Sequence, residues 1–165
     1  MPMTKIPDSI IRTILKIAYK LFNGFCFVFR PATKGVVIGV WMKDKVLVIK
    51  NSYYHKYTLP GGFVKHGEDL KSAAERELAE ETGIRVAVDD LHYAGSANMR
   101  IHYRREKLAY FETKLPNQSI VAIDHQEVIW ADFMSPEKAL NLDLTAPAKR
   151  YIQGYGMNNS RLALS

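Results

Sequence analysis

Between Gly62 and Ile84 the chain crowds three carboxylates and a guanidinium into six positions, Arg76-Glu77-Leu78-Ala79-Glu80-Glu81, behind a paired glycine. At helical pitch Glu77, Glu80 and Glu81 stand at i, i+3 and i+4, so their side chains share one face. Like charges that close repel, and a fold gains nothing from them unless something positive fills the gap. Clustered carboxylate oxygens suit hard divalent cations, Mg²⁺ above all, which dehydrates reluctantly and bridges to substrate phosphates. Any fold for this chain has to account for that acidic face.

The same run also reads as an ordinary solvated helix, with Glu and Arg present for helix propensity. Its surroundings separate the two readings. Leu59-Pro60-Gly61-Gly62 is an apolar-to-turn break whose glycines permit positive φ or close backbone approach. Glu68 stands before the helix, and Gly83 closes it at a C′ position. A surface helix requires none of these.

At 165 residues the chain is long enough for one domain with a sizeable core and an appendage. A single cysteine, Cys26, forbids an internal disulfide and reads as a small buried hydrophobe, so a cytoplasmic location is expected. The 23 basic against 17 acidic residues give +6, which favours anionic partners.

Ile10, Ile11, Ile14, Leu15, Ile17, Ala18, Leu21 and Phe22 recur at helical spacing, with Asp8 or Ser9 as cap after Pro7. Arg12, Lys16 and Lys20 form a basic stripe expected opposite the apolar face, and an apolar run continues from Phe25 to Phe29. Three internal charges argue against a membrane span, and the missing h-region argues against a signal peptide. Two readings stay open: a helix docked on the domain or on a second copy as a homodimer, and a helix lying on an anionic membrane surface.

The remainder reads as mixed α/β, with strands at 35–41 and 46–50 around a hairpin at Lys43-Asp44-Lys45, and a short strand at 57–59. The glutamate helix is predicted over 69–82, with Leu70, Ala73, Ala74 and Leu78 on its buried side. Further strands are expected near 85–88, 91–97, 107–114 and 127–133. Ser135-Pro136-Glu137 opens one helix, and Thr145 with Pro147 opens a last one through about Gln153, ahead of a polar frayed tail. The organisation expected is a helical extension over 1–30, a catalytic domain over 31–156 and a tail over 157–165.

Chemistry can be built on these residues directly. Cleaving a diphosphate in water brings a nucleophile to an anion that repels it. Mg²⁺ can neutralise the phosphates and lower the pKa of a bound water, with Mn²⁺ as a substitute. The glutamate cluster supplies the cation site, and Gly61-Gly62 lets a backbone carbonyl reach the metal. Arg76 is placed to grip a neighbouring carboxylate bidentately and fix its orientation. Tyr53, Tyr54, His55 and Tyr57 can stack a base or sugar, and Arg100, Arg104 and Arg105 can grip phosphates. Packing and solvation are the ordinary alternatives for both groups.

The whole pattern, Gly62-x5-Glu68-x7-Arg76-Glu77-Leu78-x-Glu80-Glu81-x-Gly83-Ile84, resembles the signature of the Nudix hydrolase family, with every fixed position filled. That resemblance implies a Nudix-type α/β/α sandwich with a mixed β-sheet, here preceded by an amphipathic helix. It implies Mg²⁺-dependent hydrolysis of a nucleoside diphosphate derivative, such as a nucleotide sugar, a dinucleotide or an NTP, by water attack at phosphorus. On the resemblance Glu80 and Glu81 are the core metal ligands, Glu77 is a further ligand or water-activating base, and Glu68 assists directly or through water. Asp124 and Glu127 resemble the acidic pair that often precedes the tryptophan-bearing strand, and either can join the catalytic set; a solvated loop is their alternative. Two other readings remain: hydrolysis at the 5′ end of RNA, and a non-catalytic nucleotide sensor. No room follows Ser135 for a DNA-binding module, so no DNA partner is expected.

Overall fold

The computed structural model describes residues 7–116, 121–123 and 125–162, with side chains as far as Gly154. In chain order its elements are α1 (Asp8–Phe29), β1 (Ala32–Met42), β2 (Lys45–Asn51), β3 (Tyr57–Thr58), β4 (Gly61–Phe63), α2 (Leu70–Thr82), a single 3₁₀ turn (Val88–Asp90), β5 (His92–Ile101), β6 (Arg104–Lys114), β7 (Val128–Met134), α3 (Pro136–Leu140) and α4 (Ala146–Leu162).

The strands form one mixed sheet in the order β3-β2-β1-β6-β5, with β4 added to β1 and β7 to β2. β1 and β6 run parallel over ten residue pairs, from Ala32 opposite Arg105 to Trp41 opposite Lys114, and the remaining strand pairings are antiparallel. β1 is apolar almost throughout because it is covered on both faces. On one face Val36, Ile38, Leu47 and Ile49 pack under Ala73, Ala74 and Leu78 of α2. On the other, Val37, Trp41, Val46 and Val48 pack under Ala139, Ala148 and Ile152 of α3 and α4. The result is an α/β/α sandwich.

α2 begins at Asp69, whose carboxylate caps the amides of Lys71 and Ser72, and ends at Gly83, which adopts the left-handed conformation. Ser135 caps α3 in the same way, with Pro136 in its first turn. Four local expectations are corrected. α1 starts after Pro7 with no side-chain cap and runs unbroken to Phe29, because nothing in the 25–29 run opposes helix. Gly61 and Gly62 lie in a strand rather than a turn, pairing with Val37 and Val36 of β1. Residues 85–88 carry no strand, since the chain there passes into the 3₁₀ turn before β5. The last helix continues beyond Gln153 to Leu162.

α1 docks on the sandwich by its Leu15-Tyr19-Phe22-Cys26 face. Tyr19 packs at 5.3 Å and 5.6 Å (ring centroids) on Tyr53 and Tyr54, and Phe22 meets Phe63 edge-on at 5.6 Å. Cys26 is fully buried, as a small apolar side chain. Arg12 donates to the carbonyl of His125 (2.8 Å), so the basic stripe is split: its first member faces inward while Lys16 and Lys20 are exposed.

Candidate active site

The site is assembled where α2 passes beneath β4. Gly61 adopts φ +149°, a conformation open to glycine, and a Cβ there would sit 2.2 Å from the Val36 carbonyl oxygen. Gly62 is constrained by its neighbour instead: a Cβ would fall 2.5 Å from Glu77 Oε2. The paired glycines thus let backbone lie directly against the acidic face of α2.

That face is divided between two anchorages. Glu81 is buried and accepts hydrogen bonds from the Gly61 amide (2.8 Å) and from Asn51 Nδ2 (3.1 Å). Burial pushes its carboxyl up to about 8, despite those two donors. Arg76 holds the other side. Its Nε and Nη2 grip both oxygens of Glu68 (2.7 and 2.9 Å), while Nη1 reaches Glu77 (2.7 Å) and Glu80 (3.1 Å). A further bond to the Phe63 carbonyl (3.1 Å) ties the guanidinium to β4. The Arg76 hydrogen bonds, joined by the Lys65 amide, lower the Glu68 carboxyl to about 2. Burial raises the Glu77 carboxyl, with Arg76 opposing and Glu80 and Glu127 adding to the rise.

Glu127 enters from the start of the β7 segment. It accepts a hydrogen bond from the Tyr53 hydroxyl (3.1 Å), and its charge raises the carboxyls of both Glu77 and Glu81. Three carboxyl groups from two distant stretches therefore share one negative field. Among the described residues no three His, Cys, Asp or Glu side chains stand closed around a common point. An open, all-oxygen donor set in which burial and mutual repulsion raise Glu77 and Glu81 still fits Mg²⁺, which keeps several waters and takes only a few protein oxygens.

Beside the acidic residues lies a cavity of about 610 Å³, within the size of small-molecule sites. Glu81, Glu127, Gly61 and Gly62 line its floor, and Leu15, Ala18, Tyr19 and Phe22 of α1 form its roof. Tyr53, Tyr54 and His102 add polar aromatic walls, with the Tyr54 hydroxyl 3.3 Å from His102 Nε2.

The expected substrate residues divide. Tyr53 and Arg100 line the cavity. Arg104 lines it too, but is held by a buried ion pair with Glu106 (3.0 Å) and lies over the rings of Phe22 and Phe63. Tyr57 is elsewhere: it packs edge-on against Trp130 beneath Lys50. Arg105 is exposed and away from the cavity lining, because alternation along β6 turns it opposite to Arg104 and Glu106. Asp124 lies outside the described residues. Sequence reasoning missed Asn51, which anchors Glu81, and the α1 pair Tyr19 and Phe22. The three-residue spacing of Tyr19 and Phe22 was visible, yet their destination was not.

Comparison with known proteins agrees with this geometry. The family model described as NUDIX domain matches residues 31–155. An 8-oxo-dGTP diphosphatase of Buchnera aphidicola subsp. Schizaphis graminum is 32% identical over 81 residues, 46% of this chain and 59% of that protein. An ADP-ribose pyrophosphatase of Methanocaldococcus jannaschii is 44% identical over 59 residues, 33% of this chain and 35% of that protein. The match thus spans less than two thirds of either relative's length. Among solved structures, the MutT protein from Methanosarcina mazei Go1 superposes with a TM-score of 0.69 at 24% identity, covering 79% of this chain and 97% of that one. A C. elegans Ap4A hydrolase in a binary complex gives 0.66 at 23% identity, covering 78% and 98%. At these identities the structural likeness is one of fold.

Proposed function

The chain belongs to the NUDIX domain family, and from that premise we propose that it hydrolyses the diphosphate linkage of a small nucleoside diphosphate derivative, with Mg²⁺ as its cofactor. The observation that carries this reading is the buried Glu81 carboxylate, held by the Gly61 amide at the floor of a cavity whose roof is aromatic. One end of such a cavity suits phosphates with a cation and the other suits a base. The names of the two curated relatives, a diphosphatase and a pyrophosphatase acting on nucleotides, support the same class of reaction.

Glu77, Glu80 and Glu81 would hold the cation, with Glu127 facing them and Glu68 acting through Arg76. When bound, the cation neutralises phosphate oxygens and acidifies a water. Arg76 keeps Glu68, Glu77 and Glu80 in fixed orientations so that ligand geometry is set before substrate arrives. Glu77, held by Arg76 on the acidic face, would serve either as a further ligand or as the base that takes the proton of the attacking water. Tyr53, packed at a tilt against Tyr19 and bonded to Glu127, links the base end of the cavity to the acidic end. The roof made by α1 favours a compact nucleotide over the 5′ end of a long RNA.

A Mg²⁺-dependent hydrolysis screen over nucleotide sugars, dinucleotides, NTPs and triphosphorylated RNA tests this. Release of nucleoside monophosphate or phosphate from a small substrate, abolished by EDTA, is expected. Binding of these nucleotides with no turnover of any would replace the enzyme reading with a sensor.

A further inference from the structure

We propose that α1 is apolar on two faces because its outer face lies in the interfacial layer of an anionic lipid membrane, while its inner face roofs the cavity. Ile10, Ile14, Ile17, Leu21, Phe25 and Val28 recur at spacings of three or four residues and are all at least half exposed, Leu21 and Val28 by 70% and 69%. This stripe runs the whole 22-residue helix. The inner stripe of Leu15, Tyr19, Phe22 and Cys26 is already docked, so the domain has no use for the outer one. The apolar surface continues past the helix, where Phe27 meets the exposed Tyr103 edge-on at 5.0 Å.

Charge decides the occupant. Lys20 is exposed at the border of the stripe, Lys16 is exposed on the flank between the outer and inner faces, and Arg30 ends the helix. The single acidic residue of α1, Asp8, accepts a hydrogen bond from Gln126 on the domain side. A second copy docking on this face would bring lysine against lysine with no acid of α1 beside the stripe to pair them. An anionic headgroup layer supplies the complement, as in helices that lie in a membrane plane with apolar chains below and lysines at the border. Among the described residues no helix is long and apolar enough to cross a membrane, so α1 rests on the surface.

The test sediments the full chain with phosphatidylcholine vesicles, with and without phosphatidylglycerol, at low and high salt. Binding to the phosphatidylglycerol vesicles that weakens with salt is expected. Ile14→Glu with Leu21→Glu should lose it while keeping the circular-dichroism melt, since both side chains are exposed. Lys16→Ala or Lys20→Ala should weaken binding about fivefold each. No binding, binding indifferent to phosphatidylglycerol, or binding that survives the double glutamate variant would overturn the proposal. So would a dimer in sedimentation velocity that the double variant dissolves, which would assign the face to a second copy.

Discussion

The Gly61 amide donates to Glu81 Oε2 across 2.8 Å, joining strand β4 to the last turn of α2. That bond explains how a carboxylate can be buried at the floor of a cavity and still be aimed. Burial, which that bond opposes, makes Glu81 the residue whose protonation should govern the metal-free protein.

Burial raises the Glu81 carboxyl to about 8 from 4.5, so the folded chain keeps a proton that the unfolded chain releases. The stabilisation from this group is complete below about 4.5 and lost as pH rises through 8. In EDTA, the unfolding free energy of the wild type from urea titration should fall across that window by an amount on the order of a few kcal/mol, and that of Glu81→Gln should fall much less. Added Mg²⁺ should restore stability at the upper end and release a proton. A wild-type midpoint that stays level across the window would contradict the burial argument.

Glu81→Gln should also cut hydrolysis by at least about a hundredfold, because the amide can replace the acceptor of the Gly61 amide but not the charge that faces the cation. Turnover equal to wild type on a confirmed substrate would remove Glu81 from the site.

Arg76→Lys replaces a fork that spans both Glu68 oxygens with a single point charge. We expect Mg²⁺ affinity to fall by about 10- to 100-fold in titrations of activity. Stability should also change at the acid end. Glu68 sits near 2 in the folded chain, so its contribution is present above 4.5 and lost as pH falls towards 2. The lysine variant should give up part of that contribution and unfold at higher pH. Unaltered Mg²⁺ dependence would mean that Arg76 serves the fold alone.

Gly62→Ala should act on Glu77, since its Cβ would press on the carboxylate at 2.5 Å. Activity should drop about tenfold or more with the protein still folded. Gly67→Ala is the contrast: no atom lies within 4 Å of its Cβ, but φ is +76°. It should cost about 1–2 kcal/mol of stability with activity per folded molecule unchanged. Equal kinetic effects from both would break the link between Gly62 and Glu77.

Tyr19→Ala opens the roof over Tyr53 and Tyr54. KM should rise about 3- to 10-fold with kcat nearly kept, because the ring contacts the base end and not the reacting end. Should kcat fall instead with KM unmoved, α1 would be acting on the chemistry and not on substrate choice.

Much of the sandwich was legible from the chain. The strands at the β1–β2 hairpin, the glutamate helix with its Gly83 stop, and the Ser135-Pro136 helix start are local signals, set by patterning and capping within a few residues. The misses have a common cause. Whether Gly61-Gly62 turns or pairs depends on β1 being available to accept a strand. Where residues 85–88 go depends on how α2 must connect to β5.

Spacing along one helix put Glu77, Glu80 and Glu81 on a shared face, because helical pitch converts sequence distance into spatial distance, and Gly62, Glu68 and Gly83 outside it completed the pattern that names the family. No such rule connects Tyr53 with Glu127, or Glu81 with Asn51, whose neighbours in space come from strands laid side by side. Tertiary packing buried the Arg104–Glu106 pair and left Tyr57 against Trp130. It also turned one amphipathic helix into a roof with a second apolar face. Periodicity reports that a helix has apolar stripes, but which stripe is covered depends on a surface contributed by the rest of the chain.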